Sequence, residues 1–150
     1  MPTPSSASTS DFDDIVKQFQ QALDEFFRGN PEPSKILMSH QDDVTLGNPF
    51  GPTARGWEHV SEAMDRAGLN YRDGAATGFD VVAKYAGSEL AYVVWVERFK
   101  AKVGTKPEIV SGALRRTTIF RRERTAWKIV HSQADPITTA RPAESIIPQQ

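Results

Sequence analysis

At 150 residues, with 39% apolar and 25% charged side chains, the chain has the size and composition of one globular domain and is too apolar to be disordered throughout. A formal net charge of −1 excludes an overall pull toward nucleic acid or an anionic membrane. The absence of cysteine excludes disulfides, thiolate nucleophiles and zinc–thiolate sites, and fits a reducing compartment.

Residues 1–9 are mostly Ser, Thr and Pro with almost nothing to bury, and disorder is expected there. They carry neither the basic nor the apolar stretch of a secretory signal. Ser10 followed by Asp13 reads as a helix cap with acid in the first turn. From Phe12 to Phe27, apolar residues recur at helical spacing as one wide stripe, and Gly29 with Pro31 stops the helix. A short second helix is expected over Glu32–Met38 and a brief strand over Asp43–Leu46. Asn48 to Pro52 reads as loop, because Asn, Gly and two prolines break a ladder. A third helix is expected over Gly56–Leu69.

Beyond it the period changes from helix to strand. Thr77–Ala86, Leu90–Val103, Ile109–Arg122 and Ala126–Ala134 are strand-like, with short turns between them. Helices followed by an antiparallel meander define an α+β domain over residues 10–136, and residues 137–150 form a Pro-rich tail or arm. The strand Leu90–Val96 is apolar on both faces, so both should be covered, one by the helices and one by a second copy of the chain. That run is also the longest apolar stretch, far short of the ~20 residues of a membrane span. The expectation is a cytoplasmic homodimer that binds neither membrane nor nucleic acid. The arginines between Arg115 and Arg124 split between two strand faces and form no stripe. Two strands longer than ten residues should curl, with a bulge, into a cone under the first helix.

Strand parity assembles a candidate site, because residues i and i+2 share a face. Glu97 shares one with Val93, Trp95 and Phe99; Arg115 shares one with Thr117 and Ile119; His131 shares one with Trp127, Ile129 and Gln133. If these faces are all concave, Glu97, Arg115 and His131 converge in an aromatic-lined cavity that Asp43 can join. His131 then passes protons, or is a buried histidine satisfied by a neighbour. Glu97 with Arg115 orients substrate, or is a structural ion pair. Asp43 is a general base, or a turn residue bonding its own backbone. Phe27, Leu46, Phe50, Trp57 and Trp95 line the pocket or serve as ordinary core, with Thr117 and Gln133 as further ligand contacts. His40 and His59 are expected to face solvent. The chain carries no phosphate-binding glycine loop, dinucleotide fingerprint, nucleophile elbow or paired metal-ligand histidines, so no cofactor and no metal are expected.

The element order, the Asp42–Trp57 stretch with its Pro-Phe-Gly-Pro and Arg-Gly-Trp, and the Trp127-x-Ile129-x-His131 ending resemble SnoaL-like domains of the nuclear transport factor 2-like superfamily. The resemblance implies a cone-shaped curved sheet with N-terminal helices on its concave face, an interior pocket and a homodimer through the outer sheet face. It does not imply one activity. The ketosteroid isomerases of that superfamily pair an Asp base with a Tyr and a protonated Asp, and the first helix here offers phenylalanines but no tyrosine. Three functions are therefore carried forward in order. The first is a cofactor-independent isomerase, dehydratase, cyclase or hydrolase acting by proton transfer on a small hydrophobic or aromatic molecule. The second is a non-catalytic binding protein for such a molecule, and the third a protein-assembly module.

Overall fold

The apolar stripe of the first helix needs a surface to cover, and the strands supply it. In the computed structural model, which describes residues 6–148 (side chains from residue 11 onward), helix α1 (Ser6–Phe27) lies across the inner face of a six-stranded sheet. Phe12, Val16, Phe19, Leu23 and Phe27 are all buried. Phe19 packs on Trp95 with ring centroids 5.6 Å apart, and Phe27 stacks on Phe99 at 4.4 Å. Full burial of each such side chain contributes about 1.5–3 kcal/mol, so this stripe anchors the helix. The helix starts upstream of Ser10, the expected cap; residues 1–5 of the expected disordered N-terminus lie outside the described residues. Gly29 ends the helix at a φ of 99°, a conformation that costs glycine little.

The remaining elements follow as α2 (Glu32–Leu37), β1 (Thr45–Asn48), β2 (Gly51–Arg55), α3 (Trp57–Gly68), β3 (Tyr71–Ala86), β4 (Leu90–Val103), β5 (Val110–Glu123) and β6 (Ala126–Asp135). The strand order is β2-β1-β6-β5-β4-β3. The last four strands form the expected antiparallel meander, but β1 joins β6 in parallel, so the sheet is mixed. The expected loop at Asn48–Pro52 is instead the turn of a hairpin that carries Gly51 and Pro52 into β2. Pro52 is tolerated because β2 is an edge strand, where a missing N–H leaves no neighbour unpaired.

Irregular pairing bends the sheet. The β3–β4 register shifts at three places, and the β5–β6 register shifts once, where Ile119 faces His131 but Phe120 faces Ile129. Such bulges curl long strands over a packed helix. Beyond β6, a 3₁₀ turn at Ala143–Ile146 leaves Ile146 and Ile147 exposed. No helix among the described residues is long and apolar enough to cross a membrane.

Candidate functional site

Which side chains reach the interior is decided strand by strand. On β4 the expected parity holds: Val93, Trp95, Glu97 and Phe99 all point inward and are buried. On β5 the opposite set is inside. Leu114, Thr118 and Phe120 are buried with Arg116 on their face, while Arg115 and Thr117 are exposed. On β6 the bulge at Val130 changes parity within the strand. Trp127 and Ile129 face inward before it, and Ser132 and Ala134 after it. His131 and Gln133 are thereby turned to the outer face. The expected convergence of Glu97, Arg115 and His131 is corrected on both counts: the register of β5 is one residue off, and an extra residue in β6 re-aims the histidine.

The partner of Glu97 is Arg116. The guanidinium grips the carboxylate with both arms, Nε to Oε1 at 2.6 Å and Nη2 to Oε2 at 2.9 Å. Trp95 Nε1 donates to Oε1 at 2.9 Å, and Arg116 Nη1 donates to Ser132 Oγ at 2.9 Å. Ser132 Oγ in turn lies 3.0 Å from Thr118 Oγ1. Glu97 is 0% exposed, so this is an ion pair removed from water and kept by hydrogen bonds to both of its carboxylate oxygens. Burial works to lower the Arg116 pKa, but the Glu97 carboxylate outweighs it and the net shift is upward. Tyr71, from the start of β3, packs edge-on to Phe27 at 5.2 Å between centroids, and burial pushes its hydroxyl up to about 12.

Between α1, α2, α3 and the sheet lies a cavity of about 50 Å³. Its walls are mostly apolar, from Phe19, Phe27, Leu46, Met64 and Leu114, and its polar groups are Ser34, Asn48, Tyr71, Arg116 and Ser132. Asn48 Oδ1 is already taken by the backbone N–H of Phe50 at 2.9 Å. Ser34 is different: it is 2% exposed and its hydroxyl has no partner among the described residues. A buried hydroxyl left unsatisfied is costly, which marks a place where something else supplies the bond.

Of the residues singled out beforehand, Phe27, Leu46 and Phe50 reach this lining. Trp95 is core and serves Glu97; Trp57 is half-buried and stacks on the exposed His40 at 3.8 Å, away from the cavity. Thr117 and Gln133 lie on the outer face, where Gln133 packs over Gly47 in space a side chain would fill. Arg115 pairs with Asp135 at 2.7 Å, its own side chain half-exposed. Asp43 lies on the surface, bound by Arg121 at 2.6 and 3.0 Å, and the hydrogen bond from Arg121 holds its carboxyl below the usual range. His131 Nδ1 sits 2.7 Å from Thr45 Oγ1 on the outer face, and burial pushes its imidazole down. His59 is exposed.

Arg116, Tyr71, Ser34, Asn48 and Ser132 are the site residues that parity reasoning passed over. One signal was available for Arg116: Leu114 and Phe120, bulky and apolar, share its parity on β5. No local signal marks the β6 bulge or the hydroxyl of Ser34. Among the described residues no cluster of three or more His, Cys, Asp or Glu is placed to hold a metal ion.

Solved structures with the same architecture are numerous and distant in sequence. A nuclear transport factor 2-like superfamily protein from Salmonella enterica superposes with a TM-score of 0.76 at 16% identity, covering 94% of this chain and 99% of that one. A ketosteroid isomerase-like protein from Erwinia carotovora gives 0.72 at 14%, covering 91% and 100%. A candidate dehydratase of the same family from Streptomyces avermitilis gives 0.71 at 18%, covering 91% and 100%. At these identities the likeness establishes the fold alone. A search of curated proteins finds no match. The helix-capped curved sheet with a polar pair beneath its cavity is matched in sequence over residues 19–137 by the model of the SnoaL-like domain, and the chain belongs to that family.

Proposed function

We propose that the chain is a pocket protein for a small hydrophobic molecule, and that binding is its primary act. The observation that carries this reading is the apolar cavity with one buried, unpartnered hydroxyl, Ser34 Oγ, on its wall. Such walls with a few directed polar groups are what ligand sites are made of. The part of the ligand inside the cavity is uncharged, because the one ion there, Arg116, is already matched by Glu97. The two other titratable groups first considered for proton transfer, Asp43 and His131, do not line the cavity.

Titration with 2-butanone, followed by backbone and methyl chemical shifts, tests this. The ketone should perturb Leu23, Met64 and Leu114. Ser34→Ala should weaken it about fivefold, the worth of one net hydrogen bond near 1 kcal/mol. The same substitution should leave the free protein as stable or stabler, since it removes an unsatisfied group. No perturbation at those residues overturns the reading.

A second reading, catalysis without a cofactor, is favoured by the donors. Tyr71 keeps its proton, and Arg116 commits three of its five N–H groups to Glu97 and Ser132. Together they suit an oxyanion developing on a carbonyl substrate during isomerisation or dehydration. If a molecule extracted from the purified protein is converted on return to it, and Tyr71→Phe slows that conversion, this reading displaces the first. If the molecule is recovered unchanged, binding stands.

We also propose a homodimer through the outer sheet face. Tyr85 and Tyr92 stack there at 6.0 Å between centroids, and both stay substantially exposed in the single chain. A neighbouring copy is the simplest cover for such a patch. A monomer by light scattering at micromolar concentration overturns this.

A further inference from the structure

The cavity is small for what it is proposed to do. About 50 Å³ accommodates a few heavy atoms, whereas sites for ordinary small ligands span roughly 300–1,000 Å³. It has a neighbour, however. Asn48, Phe50 and Ala67 line the cavity and also line an open cleft of about 800 Å³ between the β1–β2 hairpin and α3. The two hollows are adjacent at these three residues, and the Phe50 ring stands edge-on to Tyr71 at 5.9 Å.

Their chemistry differs. Inside, the charge of Arg116 is matched by Glu97. In the cleft, Arg55 and Arg66 both project from exposed positions and neither forms a side-chain hydrogen bond or ion pair among the described residues. Glu62 is the single carboxylate on the cleft wall against these two guanidinium groups. Asp43, the acid near Arg55, is already held by Arg121.

Resting on the pocket reading above, we infer that the ligand is amphipathic and spans both hollows, with a compact apolar head in the inner cavity and an anionic tail, such as a carboxylate, in the Arg55–Arg66 cleft. The size argument requires a ligand of ordinary dimensions to extend out past Phe50. The charge argument gives the extension its sign, because guanidinium groups are suited to planar anions. Attraction at so exposed a site is modest and screened by salt.

The test compares hexanoate, 1-hexanol and hexylammonium, which share an unbranched six-carbon skeleton. Hexanoate should bind about five- to tenfold more tightly than hexanol at low salt, and hexylammonium more weakly than either. The preference should shrink in 0.5 M salt and vanish in the Arg55→Gln/Arg66→Gln double variant, whose hexanol affinity should be unchanged. Both arginines are exposed, so the variant keeps its core, and the hexanol value checks this directly. In every bound case the terminal methyl of the probe should show nuclear Overhauser contacts to Leu23 or Leu114. Hexanoate no tighter than hexanol, or a preference that survives the double variant, overturns the tail assignment while the methyl contacts keep the pocket reading. Loss of those contacts for all three probes overturns both.

Discussion

Arg115 and Arg116 are adjacent in the chain and live in different solvents. Arg116 points into the core, grips a carboxylate with 0% exposure, and extends its hydrogen bonds to Ser132. Arg115 points outward and shares one hydrogen bond with Asp135 across the β5–β6 ladder, half-exposed to water. The same pair of charges that is nearly free to separate on the outer face is, on the inner face, bound to its partner by the cost of leaving either charge alone. Among the described residues, Arg116 is also the one charged residue on the cavity wall, so the two faces differ in consequence more than in composition.

Breaking the inner pair should have the largest effect. Arg116→Leu leaves Glu97 buried without its partner and should cost about 3–5 kcal/mol, read from urea unfolding by tryptophan fluorescence. Replacing both partners, as Glu97→Gln with Arg116→Met, should recover about half of that loss or more, because Gln still accepts from Trp95 Nε1 and no charge is stranded. A single variant that loses less than about 1 kcal/mol would show that the inner pair is as loosely held as the outer one. Arg115→Ala, measured at protein concentrations low enough to keep the chain monomeric, should cost about 0.2–1 kcal/mol, the range of exposed pairs. A larger cost that grows with protein concentration would instead place Arg115 in the proposed dimer contact.

The contrast also explains what could be read from the sequence. The helices and the four-strand meander were legible from periodicity; β4 was expected at Leu90–Val103 and occupies those residues, whereas β3 starts at Tyr71, six residues before the expected Thr77, and its burial does not alternate. Glu97 was singled out correctly as inward because Val93, Trp95 and Phe99 mark its face on both sides. Arg116 was missed because β5 carries plausible residues on either parity, and only Leu114 and Phe120 break the tie. His131 misled for a different reason: Trp127 and Ile129 do face inward, but one extra residue at Val130 reverses the strand thereafter. A bulge is set by how two strands meet, and no single strand announces it. Ser34 and Tyr71 enter the site from a short helix and a strand start, through tertiary packing that no local pattern encodes.

The smallest effect expected belongs to the misassigned histidine, and it tests the outer face directly. Burial alone pushes His131 below its ordinary value, and its Nδ1 meets the hydroxyl of Thr45. Burial therefore favours the neutral ring, and the tautomer sets which of Nδ1 and the Thr45 hydroxyl donates. The unfolded chain takes up the proton near 6.5 and the folded chain only at lower pH. Stability contributed by the neutral ring is thus complete above about 6.5 and declines as pH falls through the lower folded value, since the unfolded state binds more protons in that window. Asp43, held down by Arg121, loses its contribution only below its ordinary 3.8, so the two windows are separate. Urea midpoints should fall between pH 7.5 and 5.5 in the native chain and lie flatter across that range in His131→Gln. An unchanged slope in the variant would mean that the outer face leaves His131 as free to take up a proton as an exposed histidine.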